Sequence, residues 1–175
     1  KAYTDREPIP FHMPGHKLGR GIPEEFLGEI EKLDLTEIPG TDNLHAPTGA
    51  VKEAQELAAA AFGARKSFFL VNGSTVGLHA AIAAICRPGQ SLIAGRDCHS
   101  SVINGMLLAG VRPHYILPEY SAEFGIHTGI TASAVEKALD DVPDAAGVLL
   151  TRPNYYGVCS DAAAIAKLVH ARGKP

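Results

Sequence analysis

From about residue 48 onward, short apolar runs alternate with stretches whose apolar residues recur every three to four positions, and turn-forming residues separate the two. Thr48 is placed to cap a helix reaching about Ala61, with Val51, Ala54, Leu57, Ala58 and Ala61 on one face and Gly63 as its stop. Ser67–Val71 (SFFLV) reads as a buried strand, and Thr75–Cys86 as a helix ended by Arg87-Pro88-Gly89. A strand at Ser91–Ala94, a helix at Ser100–Ala109 and a strand at His114–Leu117 follow, then a turn-rich stretch from Pro118 to Gly129. Thr131–Asp140 reads as a helix, Gly147–Thr151 (GVLLT) as a strand and Asp161–Ala171 as a helix. Such alternation specifies an α/β domain with a mostly parallel sheet and helices on both faces.

Residues 1–49 follow another regime. Pro8, Pro10, Pro14, Pro23, Pro39 and Pro47 leave room for only a short helix around Glu24–Lys32, so this stretch reads as an N-terminal arm and residues 50–175 as the first part of a larger domain. At the far end, the last helix meets a stop at Arg172-Gly173 and then Lys174-Pro175, where another strand is expected to begin. The fold is therefore expected to continue past Pro175.

Composition narrows the function classes. Sixteen basic against nineteen acidic residues give a net charge of −3, which provides neither a nucleic-acid footprint nor a polybasic membrane patch. Cys86, Cys98 and Cys159 are far apart and form no C-x-x-C pair, so neither a disulfide framework nor a cysteine zinc site is indicated, and a cytoplasmic setting fits. No apolar run reaches the ~18 residues of a spanning helix, and Lys1 opens no signal-peptide pattern.

In open α/β sheets, ligands gather at the carboxyl ends of strands, which directs attention to three junctions. In Val71-Asn72-Gly73-Ser74-Thr75-Val76-Gly77, the amides and hydroxyls of Ser74 and Thr75 either cap a helix or form an anion hole for a phosphate. The stretch is neither a Walker loop nor a G-x-G-x-x-G fingerprint. In Arg96-Asp97-Cys98-His99-Ser100-Ser101, His99 is placed to stack on a planar ring or move a proton, or else to satisfy local backbone; Cys98 reads as packing. Thr151-Arg152-Pro153-Asn154-Tyr155-Tyr156-Gly157 puts hydroxyls at the end of an apolar strand, as a site wall or as a turn with partly exposed tyrosines. His12 and His16 have i, i+4 spacing, but Pro14 and Gly15 between them rule out helical zinc geometry, so no metal is expected. The acidic stretch from Asp34 to His45 faces either a cationic substrate or solvent.

Five segments in register resemble the Orn/Lys/Arg decarboxylases, pyridoxal-phosphate enzymes of the aspartate-aminotransferase fold type. They are PFHMPGHK at Pro10–Lys17, DLTEIPGTDNLHAPTGAVKEAQELAA at Asp34–Ala59, FLVNGST at Phe69–Thr75, RDCHSS at Arg96–Ser101 and TRPNYYG at Thr151–Gly157. The resemblance implies an aspartate-aminotransferase-like large domain, incomplete in these 175 residues. It also implies that Gly73, Ser74 and Thr75 hold the cofactor phosphate, that His99 stacks on the pyridine, and that Thr151 and Tyr155 lie beside it. Two positions depart from the family pattern: Ser100 stands where Lys is frequent, and Asn154 where Thr is usual.

The activity so implied is decarboxylation of arginine, lysine or ornithine in polyamine metabolism by a cytoplasmic homodimer or higher homo-oligomer. Glu37 and Asp42 are the candidates for meeting the distal cation of that substrate. The family's cofactor-bearing lysine and ring-nitrogen aspartate lie in segments that follow a Gly-x-Pro like Gly173-Lys174-Pro175, and none of Lys17, Lys52, Lys66, Lys137, Lys167 or Lys174 occupies the lysine's position. The 175 residues alone are thus expected to be inactive. Another reaction on the same fold, transamination or C–S lysis, and a non-catalytic fragment or binding module are the competing readings.

Overall fold

The computed structural model describes residues 3–11, 16–28 and 30–175. These fall into two compact units, Lys1–Phe69 and Leu70–Pro175.

In the first unit, the short helix expected around Glu24–Lys32 is replaced by a single 3-10 turn, Glu24–Phe26, and a four-residue helix α1, Ile30–Leu33. Helix α2, Ala50–Ala61, is the regular element here, and it begins one residue later than expected, with Gly49 and not Thr48 at the N-cap position. Thr48 does not cap it. The carboxylate of Asp42 accepts instead, from the amides of Thr48 (3.0 Å), Gly49 (2.9 Å), Val51 (2.9 Å) and Lys52 (3.3 Å), and also from Asn43 (2.9 Å). A carboxylate suits a helix N-terminus, where it meets both unpaired N–H groups and the positive end of the dipole. Beside it, the Thr41 hydroxyl accepts from Ile38 N (2.9 Å) and lies 2.9 Å from the carbonyl of Thr36, closing the Ile38–Thr41 turn.

The second unit carries the sheet. Its elements run α3 (Gly73–Ile85), β1 (Ser91–Gly95), α4 (Ser100–Leu108), β2 (Arg112–Ile116), β3 (Tyr120–Ser121), β4 (Ile126–His127), α5 (Ala132–Asp141), β5 (Val148–Leu149) and α6 (Ala162–Ala171). The order across the sheet is β2-β1-β5, and both pairings are parallel, in the register Ile93 with His114 and with Val148. β1 is central and buried on both faces, as a near-continuous apolar run requires. Its residues alternate between two cores: Leu92 and Ala94 pack with Ile82, Val102 and Met106, while Ile93 packs with Ile116, Val135, Leu139, Ile165 and Val169. Helices α3 and α4 thus cover one face and α5 and α6 the other. Gly105 of α4 permits the close crossing with α3, since a Cβ there would lie 2.8 Å from Ile82 Cδ1 and 3.1 Å from His79 Cδ2.

Two sequence expectations change in this unit and its boundary. The stretch 118–129, read as turns, contains an antiparallel hairpin of β3 and β4 with Tyr120 opposite His127. Ser67–Val71 forms no strand: Phe68, Phe69, Leu70 and Val71 are 66%, 44%, 50% and 57% exposed. A strand needs a neighbouring backbone to take its N–H and C=O groups, and no such partner exists for this run among the described residues.

Candidate active site

The three parallel strands share one carboxyl edge, and the chain brings three junctions to it. Helix α3 packs on the sheet and is joined to β1 by a short turn, 86–90, so it runs antiparallel to the strand and its N-terminus lies at that same edge. His99 follows β1 and Thr151 follows β5 there.

At the start of α3 the backbone turns through Asn72 (φ 65°) and Gly73 (φ 71°), both left-handed, and a Cβ on Gly73 would meet nothing. Asn72 makes no side-chain cap, and the amides of Gly73, Ser74 and Thr75 have no acceptor among the described residues. All three residues are exposed. Three unpaired N–H groups and two hydroxyls at the positive end of a 13-residue helix form a cradle suited to a phosphate. The alternative that Ser74 and Thr75 serve as the helix cap finds no hydrogen bond in its support.

His99 is the N-cap of α4. Its Nδ1 accepts from Ser101 N (3.2 Å) and lies 2.8 Å from Ser101 Oγ. Because an amide N–H can only donate, Nδ1 is an acceptor, and the neutral ring carries its proton on Nε2. His99 is an exposed residue, and its imidazole is held at one nitrogen. The reading of His99 as a group that satisfies local backbone holds for Nδ1 and leaves the ring face available for stacking.

Thr151 is half-buried two residues past β5, whereas Tyr155 is 93% exposed and touches Tyr156 edge-on at 5.5 Å between ring centres. Burial pushes the Cys98 thiol above its ordinary range, as it does for Cys86, consistent with packing and not with a nucleophile. Two groups escaped the sequence reading: Asp97 Oδ1, just past β1, and His79 Nε2, on α3, are buried without a hydrogen-bond partner among the described residues. Asp97 lies inside RDCHSS, but nothing in the sequence marks its oxygen as buried.

In the first unit, the amide of Thr48, with those of Asn43, Gly49 and Lys52, outweighs lost hydration and holds the Asp42 carboxyl well below the usual carboxylate range. Both Asp42 oxygens are taken by the helix cap, while Glu37 is exposed. His12, within PFHMPGHK, lies outside the described residues; His16 Nδ1 accepts from Gly19 N at 3.1 Å. No group of three or more His, Cys, Asp or Glu placed to hold a metal occurs among the described residues, and no helix there is long and apolar enough to cross a membrane.

The sequence profile of the family described as Orn/Lys/Arg decarboxylase, major domain, matches residues 1–175. The chain belongs to this family. Arginine decarboxylase of Bacillus subtilis is 41% identical over 179 residues, covering 100% of this chain and 36% of its own length. Among solved structures, lysine decarboxylase A from Pseudomonas aeruginosa superposes with a TM-score of 0.68 at 25% identity, covering 98% of this chain and 26% of that one. The constitutive lysine decarboxylase of Escherichia coli gives 0.69 at 23%, covering 96% and 26%. The α/β fold of the Orn/Lys/Arg decarboxylases is thus the fold of this chain, which spans about a third of its relatives' length.

Proposed function

We propose that this chain forms the phosphate- and ring-binding part of a pyridoxal-phosphate-dependent decarboxylase of basic amino acids, with arginine as the leading substrate. The observation that carries the proposal is the uncapped start of α3: Gly73, Ser74 and Thr75 offer unpaired donors on the sheet edge that also bears His99 and Thr151. The donor set fits the cofactor's phosphate and aromatic ring. Bound there, pyridoxal phosphate supplies a conjugated pyridinium that takes up the electron pair left at the α-carbon when CO2 departs.

The chain's own residues bind and orient. The amides and hydroxyls at 73–75 hold the phosphate dianion, and the helix dipole favours its charge. His99, fixed through Nδ1, offers a flat face to the ring, and Thr151 and Tyr155 border it. In the acidic loop, Glu37 is exposed, with neither of its oxygens taken up among the described residues as those of Asp42 are, and is the candidate for a distal guanidinium or ammonium. Arginine is favoured because the 41%-identical relative is named an arginine decarboxylase. We also place the protein in the cytoplasm, as a homodimer or higher homo-oligomer in polyamine metabolism, with residues 1–49 as its arm.

The test supplies the full-length protein that carries this chain with pyridoxal phosphate, then with arginine, lysine and ornithine, and measures released CO2 and the amine formed. Cofactor-dependent CO2 release, fastest with arginine, is expected. Transfer of the amino group without CO2, or no turnover of any of the three, would contradict the proposal.

A further inference from the structure

Asn154 is the buried residue of the turn after β5, 7% exposed, and it stands where the related motif carries Thr. Its amide is fully used. Nδ2 donates to the carbonyls of His127 (3.2 Å) and Thr128 (2.9 Å), and Oδ1 accepts from the amides of Tyr156 (3.0 Å) and Val158 (2.9 Å). Two donors and an oxygen with two lone pairs are all that a carboxamide has. The backbone of Asn154 adds its own pair, donating to Val158 O (2.9 Å) and accepting from Gly157 N (3.0 Å).

These bonds join two segments 26 or 27 residues apart in sequence: the exit of the β3–β4 hairpin and the turn bearing Tyr155. Ser160 continues the seam, its Oγ accepting from Ile130 N (2.9 Å) and its carbonyl accepting from Arg152 Nε (3.1 Å). Among the described residues Tyr155 has no packing to fix it, since it is 93% exposed and its one ring contact there is its neighbour Tyr156. Its location is set through the backbone on either side, at Asn154 and at Tyr156 N, and the Asn154 amide controls both.

We infer that Asn154 is a positioning residue, which fixes Tyr155 and, through the same turn, Thr151 at the carboxyl edge by clamping that turn to the hairpin exit. The role at the cofactor rests on the function proposed above; the clamp itself does not. A threonine has one donor and no geometry for four bonds, and an aspartate keeps the acceptor but loses both donors. The two halves of the clamp can therefore be separated by substitution.

The clamp is tested by amide hydrogen exchange in the full-length protein that carries this chain. Asn154→Ala is expected to speed exchange at Tyr156 and Val158 by about ten-fold or more, the scale of one lost buried hydrogen bond, while Asn154→Asp preserves protection at these two amides. Unchanged exchange at Tyr156 and Val158 in Asn154→Ala overturns the Oδ1 half of the clamp, and unchanged exchange at the hairpin-exit amide of Thr128 in Asn154→Asp overturns the Nδ2 half. The positioning role is tested in the full-length holoenzyme well below each variant's melting temperature. Asn154→Ala and Asn154→Asp are expected to raise the cofactor Kd or lower kcat by roughly ten-fold, with Asn154→Ala the larger of the two. A wild-type cofactor Kd and kcat in both variants, with a lowered melting temperature alone, would reduce Asn154 to a structural residue. If the wild-type protein shows no dependence on pyridoxal phosphate, the proposed function fails, and the exchange result still decides the clamp.

Discussion

In Leu70–Pro175 the side chains of Ile82, Leu92, Ile93 and Val135 are wholly withdrawn from water, whereas among the described residues of Lys1–Phe69 only Pro10, Gln55 and Ala59 are buried. The first unit instead rests on side chains that gather backbone amides, Asp42 above all, with Thr41 and Asn43 beside it. Burial of a large aliphatic side chain is worth several times a net hydrogen bond, so the two units differ in what a single substitution removes. The β1 core is therefore expected to set global stability, and the first unit to open at lower free energy.

The largest expected effect follows from emptying that core. Ile93→Ala, at a position with no exposure on the central strand, should cost about 2–5 kcal/mol in denaturant unfolding. Leu57→Ala on α2, 66% exposed, should change stability by less than about 0.5 kcal/mol. Equal losses at the two sites would break the contrast.

The second effect is confined to the first unit. Because the folded Asp42 carboxyl lies below its unfolded value, its contribution is fully present above the ordinary carboxylate range and is lost as pH falls through and below it. Amide protection at Thr48, Gly49 and Val51 should decline with acid in the wild type and be low and insensitive to pH over that range in Asp42→Asn. The β1 amides should not follow this profile.

Smallest is a surface pair in the second unit. Arg172 and Asp140, 2.8 Å apart with side chains 40% and 61% exposed, should contribute roughly 0–1 kcal/mol, so Arg172→Ala should barely move the midpoint, and less at high salt. A loss near that of Ile93→Ala would show that charge pairing, not apolar packing, holds this unit.

The same contrast explains what could be read from the sequence. Elements of the second unit announce themselves because their apolar periods match the faces they bury: β1, α5 and α6 lie within a residue or two of their expected bounds. SFFLV misled for the complementary reason, since its apolar character says nothing about whether a partner backbone is present. The α2 cap comes from Asp42, eight residues ahead of the helix, beyond the local spacing that pointed to Thr48. At the site, the Gly-containing turn that opens α3 and a His99 that satisfies local backbone are local patterns and were legible, although Ser101 as the partner of His99 was not. The Asn154 clamp was not, because its partners at His127 and Thr128 lie across a hairpin that two-residue strands left unmarked.

The most direct measurement of the central claim, that the start of α3 is a phosphate cradle, compares binding of pyridoxal 5'-phosphate with that of phosphate-free pyridoxal. It uses the full-length protein in wild-type form and as the double variant Ser74→Ala, Thr75→Val. The wild type should prefer the phosphorylated compound, and the double variant should lose roughly ten- to a hundred-fold of that preference, the factor expected for one or two hydrogen bonds to a charged group. An undiminished preference in the double variant, with pyridoxal binding equally unchanged, would place the phosphate elsewhere and contradict the account.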